Sequence, residues 1–149
     1  MKIKIIAFGK TREEYLKKAI SDYLKRVCFY CQVEWIEIVL LTNSKSIRQR
    51  INKLKQELQS HFVIAMDEKG SEYTSREFAG FIEKMMVSGK EHIAFLLGGH
   101  DGLSLELLKS ADMTISLSRL TFTHQMVRLI FIEQLYRAFT IIKGEAYHH

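Results

Sequence analysis

The chain has no proline and only two cysteines in 149 residues, and no apolar run approaches the length needed to cross a bilayer. The start, MKIKIIAFGK, is interrupted by charge too early to act as a signal peptide, so the expected compartment is the cytoplasm. Cys28 and Cys31 form a lone C-x-x-C, and no second pair or H-x-H pair at finger spacing completes the four ligands of a structural zinc. Ordinary reduced thiols are the reading adopted over a redox or metal motif, and no metal site is expected. The missing proline is unusual and bears on one loop below.

What is present describes a globular domain. Hydrophobic residues make up 47% and charged residues 26%, which is wrong for a disordered chain, and 149 residues suffice for one core. The net charge of +5 is unevenly spread: residues 1–60 hold 13 Lys/Arg against 6 Asp/Glu, the remainder 9 against 11. Lys45, Arg48, Arg50, Lys53 and Lys55 follow one another without an acid. Such a stripe is the footprint expected for a phosphate backbone, although a solvated helix face explains it equally well.

Strand and helix patterns alternate along the chain. KIKIIAF at residues 2–8 reads as a strand that stops at Gly9, and Thr11-x-x-Glu14 as a capping box. Tyr15, Leu16, Ala19, Ile20, Tyr23, Leu24 and Val27 then recur at helical spacing. A strand over 33–40 and a polar helix over 44–60 follow. Phe62–Met66 reads as a short strand ending at Asp67, with a turn at Lys69–Gly70 and a second capping box at Thr74-x-x-Glu77. Phe78, Phe81, Ile82 and Met85 share one helical face. Ile93–Leu97 is a buried strand, Ser104–Ala111 a short helix, Met113–Leu117 a strand and His124–Ile142 a long helix. This alternation, without repeat or linker, predicts one α/β domain over 1–149: a parallel sheet flanked by helices. Ligands in such sheets sit beyond the carboxyl ends of the strands, which points to Met66–Gly70, Gly98–Gly102 and Ser116–His124.

Two of these segments have chemistry of their own. In Leu97-Gly98-Gly99-His100-Asp101-Gly102 three glycines between a strand and a helix let backbone approach a ligand, yet neither the Walker loop nor the dinucleotide fingerprint is present. In Ser116–His124, hydroxyls and backbone amides suit the polar edge of an adenine, with Leu120 and Phe122 against its faces; a loop ending in a Thr123 cap is the plainer account. The last helix is apolar around most of its circumference, which predicts cover from a second subunit and a homodimer. Glu133 and Arg137 stand at i, i+4 as a supportive pair, although Arg137 suits a phosphate equally. The tail offers Tyr147 and His148, a stacking ring with a donor and a group that titrates near neutral pH. His61 and His92 are read as structural.

Taken over Met1–His149, the strings KIKIIAFGK, FLLGGHDGLS, LSRLTFTHQMVRLIFIEQLYRAF and KGEAYHH resemble the RlmH family of SPOUT methyltransferases. The family often has proline, serine or alanine where His100 stands, usually has proline where Thr123 stands, and typically ends in Arg or Lys where His149 stands. The resemblance implies a C-terminal trefoil knot, a homodimer and transfer of a methyl group from S-adenosylmethionine to N3 of a pseudouridine in 23S rRNA, on the ribosome. It implies cofactor contacts at Met66, Gly99, Ser118, Arg119, Leu120, Thr121, Phe122 and Thr123, and puts His124, Arg137, Tyr147 and His148 on the substrate side. In-line transfer needs alignment and help with the N3 proton, for which His148 is the better base, Tyr147 a stacking or hydrogen-bonding partner, and Arg137 a phosphate or carbonyl contact. The rivals are a non-catalytic RNA-binding module of the same fold and an enzyme holding another adenine-containing ligand; cofactor binding separates them.

Overall fold

A computed structural model describes residues 1–39 and 43–148. Strands and helices alternate as β1 (Lys2–Phe8), α1 (Glu14–Val27), β2 (Gln32–Ile38), α2 (Ser44–Glu57), β3 (Phe62–Glu72), α3 (Ser75–Val87), β4 (His92–Leu97), α4 (Leu105–Ser110), β5 (Met113–Ser116) and α5 (His124–Ile142). The five strands lie in the order β2-β1-β4-β3-β5 and every pairing is parallel. This is the predicted parallel sheet flanked by helices.

The apolar strand runs are explained by burial on both faces. Along β1, Ile3, Ile5 and Ala7 join the core beneath α1, α3 and α5, whereas Ile6 and Phe8 join the core beneath α2 and α4. On the first face α5 lies against β4 and packs on both α1 and α3. Its Phe131 ring meets Phe95 of β4 at 4.7 Å between centroids. Much of the apolar circumference of α5 is therefore covered within the chain, while Met126 and the half-buried Ile130 remain towards the outside.

Three local expectations are corrected. Thr11 does not cap α1: the N-cap is Glu13, without a side-chain cap bond, because the buried Thr11 hydroxyl is engaged by Glu37 and Arg128. Tyr15, on the predicted apolar face of α1, is exposed. Lys69–Gly70 is not a turn, since β3 continues to Glu72 and pairs with β5 on both sides of an irregularity between Met66 and Ser71. Position 40 of the predicted second strand lies outside the described residues, as does His149.

The box at α3 forms as the spacing predicts: Thr74 Oγ1 accepts from Glu77 N, and Glu77 Oε2 accepts from Thr74 N at 2.7 Å. Thr74→Ala leaves one of these donors without a partner. It should cost about 1 kcal/mol and lower the melting temperature by about 3 °C, as read by thermal unfolding; an unchanged midpoint would show that the cap carries no stability.

Candidate active site

A cavity of about 360 Å³ opens over the carboxyl ends of β3, β4 and β5. Its floor is Met66, Asp67 and Glu68 at the end of the regular part of β3. One wall is the turn after β4, Gly98–Leu103, and the other is the segment from Ser116 to His124.

The glycine turn is shaped by close approaches. A Cβ on Gly98 would lie 2.8 Å from the Gly102 backbone, and one on Gly99 would lie 2.9 Å from the Phe8 carbonyl oxygen. Gly102 has φ 74°, and its N–H donates to the Gly99 carbonyl at 3.0 Å, which closes the turn. His100 and Asp101 stand exposed at its tip, joined at 3.0 Å between Nδ1 and Oδ1. The Ser104 side chain then starts α4 by accepting from Leu107 N.

In the facing wall, Ser116 Oγ donates to the Ser118 carbonyl and Ser118 Oγ accepts from Leu120 N, both at 3.0 Å. This presents Leu120, Thr121 and Phe122 to the cavity. Of the residues expected to hold the cofactor, Met66, Gly99, Ser118, Leu120, Thr121 and Phe122 line the space. Arg119 turns away, with Nε 3.1 Å from Glu72 Oε1. Thr123 faces the helix, accepting from Met126 N as the N-cap of α5. The donor set suits a cationic, adenine-bearing ligand: apolar Leu120 and Phe122 for ring faces, glycine backbone for close approach, and the carboxylates of Asp67 and Glu68 for positive charge.

The residues expected on the substrate side divide into two groups. His124 sits at the cavity mouth, its ring 6.0 Å from that of His100. Burial first, then the charges of Arg128, His100 and Arg12, lowers its pKa, which favours the neutral imidazole. Arg137, Tyr147 and His148 gather elsewhere. Arg137 Nε donates to Glu133 Oε1 at 3.1 Å, and its guanidinium lies 4.9 Å from the Tyr147 ring centre. Arg137 Nη1 stands 3.4 Å from His148 Nδ1. The Tyr147 hydroxyl donates to Glu133 at 3.2 Å and lies 3.1 Å from that of Tyr23. Burial, the Tyr23 hydrogen bond and the Glu133 charge push the Tyr147 pKa up, so its phenol is a donor and not a base. Tyr30 holds the same tail through a 2.7 Å hydrogen bond to Glu145. Arg137 lies thirteen positions after His124 along α5, a span of about 20 Å. The two groups do not meet within one chain.

Sequence reasoning missed Arg128, a fully enclosed side chain one turn after His124. Its signal was a lone cation in the apolar string MVRLIFI. Asp67 and Glu68, within the expected Met66–Gly70 segment, also line the cavity, as does Val127, which in the sequence reads only as part of the apolar helix. The Cys31 thiol is pushed up to about 12, chiefly by burial, which leaves it unreactive. No helix among the described residues is long and apolar enough to cross a membrane.

A family model described as a predicted SPOUT methyltransferase matches residues 1–148. The chain is 42% identical to ribosomal RNA large subunit methyltransferase H of Acetivibrio thermocellus, covering 99% of each. It is 44% identical to the protein of that name from Cytophaga hutchinsonii, covering 100% of each. Among solved structures, a probable methylase family protein from Haemophilus influenzae superposes with a TM-score of 0.57 at 16% identity, over 95% of this chain and 66% of that one. Archaeoglobus fulgidus Nep1 bound to S-adenosylhomocysteine gives 0.51 at 11% identity, over 94% and 100%. These two share the fold. With the family match running almost from end to end and relatives this similar over their whole length, the chain belongs to the SPOUT methyltransferase family, alongside the proteins named ribosomal RNA large subunit methyltransferase H.

Proposed function

We propose that this protein, a single domain over 1–149, methylates N3 of a pseudouridine in 23S rRNA within the ribosome, in the cytoplasm, using S-adenosylmethionine. The observation that carries the reading is the glycine-cradled cavity at the carboxyl edge of β3, β4 and β5, in a chain related over its full length to methyltransferases of that name. Bound S-adenosylmethionine supplies a methyl group made electrophilic by its sulfonium. Met66, Gly99, Ser118, Leu120, Thr121 and Phe122 would hold it; Arg119, bonded to Glu72, and Thr123, the cap of α5, would reach it only through their backbone. The reading includes a trefoil knot, implied by the family, through which this wall is fixed.

The separation of His124 from Arg137, Tyr147 and His148 supports a homodimer. If two α5 helices run antiparallel across a two-fold axis, the C-terminal end of one lies by the N-terminal end of the other. The tail group of one protomer then completes the cavity of its partner. His148 would take the N3 proton, Tyr147 would donate a hydrogen bond to the base, and Arg137 would hold a carbonyl or phosphate oxygen.

The test is transfer of labelled methyl from S-adenosylmethionine to ribosomes from a strain lacking this enzyme, with the label mapped by nucleoside mass spectrometry. The expected product is N3-methylpseudouridine in large-subunit RNA. No incorporation despite cofactor binding would overturn the substrate. A chain this short has little surface for reading sequence, so a folded ribosomal surface is the expected substrate and a short free hairpin a poor one. Equal rates on the two would remove the ribosome from the reading.

A further inference from the structure

The fully enclosed Arg128 makes contacts that core packing does not require. Nη1 donates to Thr11 Oγ1 at 2.9 Å and stands 3.7 Å from Glu37 Oε1; Nη2 donates to the Phe8 carbonyl at 2.8 Å. Its Nε is buried without a partner. Glu37 is bound in turn by the Thr11 hydroxyl, by Thr11 N at 3.1 Å and by Trp35 Nε1 at 3.4 Å. A buried ion pair is poor evidence for stability, since a well-packed apolar side chain usually serves as well. Its position is more informative. The Phe8 carbonyl that accepts from Arg128 is also the group against which Gly99 of the cofactor cradle is closely packed. Gly9, at φ 91°, lies over the guanidinium: a Cβ there would be 3.5 Å from Nη2.

Arg128 also stands one helical turn after His124 on α5, at i, i+4. Gln125 ties the segment after β1 to this turn, donating to the Lys10 carbonyl at 3.0 Å and accepting from Arg12 N at 2.9 Å. The charged and titratable groups acting on His124 are Arg128 from its own helix, Arg12 from the segment after β1, and His100 from the glycine turn, itself bonded to Asp101. We propose that Arg128, anchored by Glu37 and Thr11, is a positioning residue of the methyl-transfer site: it fixes the Gly98–Gly99 cradle against β1 and keeps a permanent positive charge beside His124. An arginine suits both tasks, with several donors in one rigid plane and a charge that burial does not remove. The inference rests on the proposed function only for the identity of the ligand in the cradle.

The test uses full-length Arg128→Met and Glu37→Gln. His124 is titrated by NMR of labelled imidazoles, with His124→Ala for assignment, and S-adenosylhomocysteine affinity is measured by calorimetry. In Arg128→Met the His124 midpoint should rise by at least about half a pH unit, and the ligand should bind about tenfold more weakly. In Glu37→Gln the midpoint should fall instead, because the field of Arg128 is no longer offset by a carboxylate. A purely structural role would lower the melting temperature without moving the midpoints in opposite directions. If Arg128→Met does not fold, Glu37→Gln carries the test, and an unmoved His124 midpoint in that variant overturns the proposal. Neither readout involves RNA, so a wrong substrate leaves the result intact. Wild-type protein that binds no S-adenosylhomocysteine would count against the proposed cofactor, while the titration would still decide the role of Arg128.

Discussion

Replacing His148 with alanine is expected to slow methyl transfer to ribosomes by about two to four orders of magnitude, the contribution of a positioned general base in the role proposed above. Affinity for S-adenosylmethionine should change by no more than a factor of about two, as expected when an interaction confined to the transition state is lost. The reasoning is spatial. His148 keeps company with Arg137 and Tyr147 and lines no part of the cavity of its own chain. Tyr147 cannot replace it as a base, because burial and the neighbouring Glu133 carboxylate hold its phenol protonated. Single-turnover transfer together with calorimetric titration of cofactor separates the two quantities. A collapse of cofactor binding would show that the tail builds the cofactor site, and an unchanged rate would remove His148 from the chemistry.

The second large effect is expected at Gly70, a residue no sequence motif marks as functional. A Cβ there would lie 2.6 Å from the Ile115 carbonyl carbon, 2.7 Å from the Ile115 nitrogen and 2.7 Å from the Thr114 carbonyl carbon. All three atoms are backbone of β5, so no side chain can swing aside. Gly70→Ala must push β3 and β5 apart where their register shifts, and β5 leads directly into the Ser116–His124 wall. Overpacking of this kind costs about 3 kcal/mol at the upper end of the usual range, or roughly 9 °C in melting temperature for a chain of this size. Cofactor affinity should fall with it, since Ser116, Leu117 and Ser118 move with the strand. A folded variant with unchanged melting temperature and affinity would show that the two strands have slack at this point.

Gly70 also shows where reading the sequence fails. The string Asp67-Glu68-Lys69-Gly70 has turn composition, yet the chain stays extended because β5 offers a second stretch of partners beyond the irregularity. Thr11 fails in the same way: its spacing to Glu14 satisfies a capping rule, but residues 26 and 117 positions away claim the hydroxyl. Local patterns cannot report such partners. Where the deciding forces are local, the reading succeeds. The α5 boundaries follow from the Thr123 cap and the apolar run, the Thr74 box from its own four residues, and the glycine turn from its position after an apolar strand. The cavity was legible because a parallel sheet places ligands at its carboxyl edge whatever the ligand. The separation of the tail group from His124 was not legible, because it depends on the length and direction of a packed helix.

α5 lies between α1 and α3 in space but follows both in sequence. A ribosome making this chain finishes β4 at Leu97 and reaches Ile142 roughly 2 to 9 seconds later at ordinary elongation rates. For that interval the nascent sheet carries an open trough over Phe95, with two helices standing beside it and nothing between them. The loop that walls the cavity is translated immediately before the helix that fills the trough. Completion of the core and creation of the cavity are thus one event in the life of the polypeptide, and a chain still waiting for its last helix has no place to load a methyl donor.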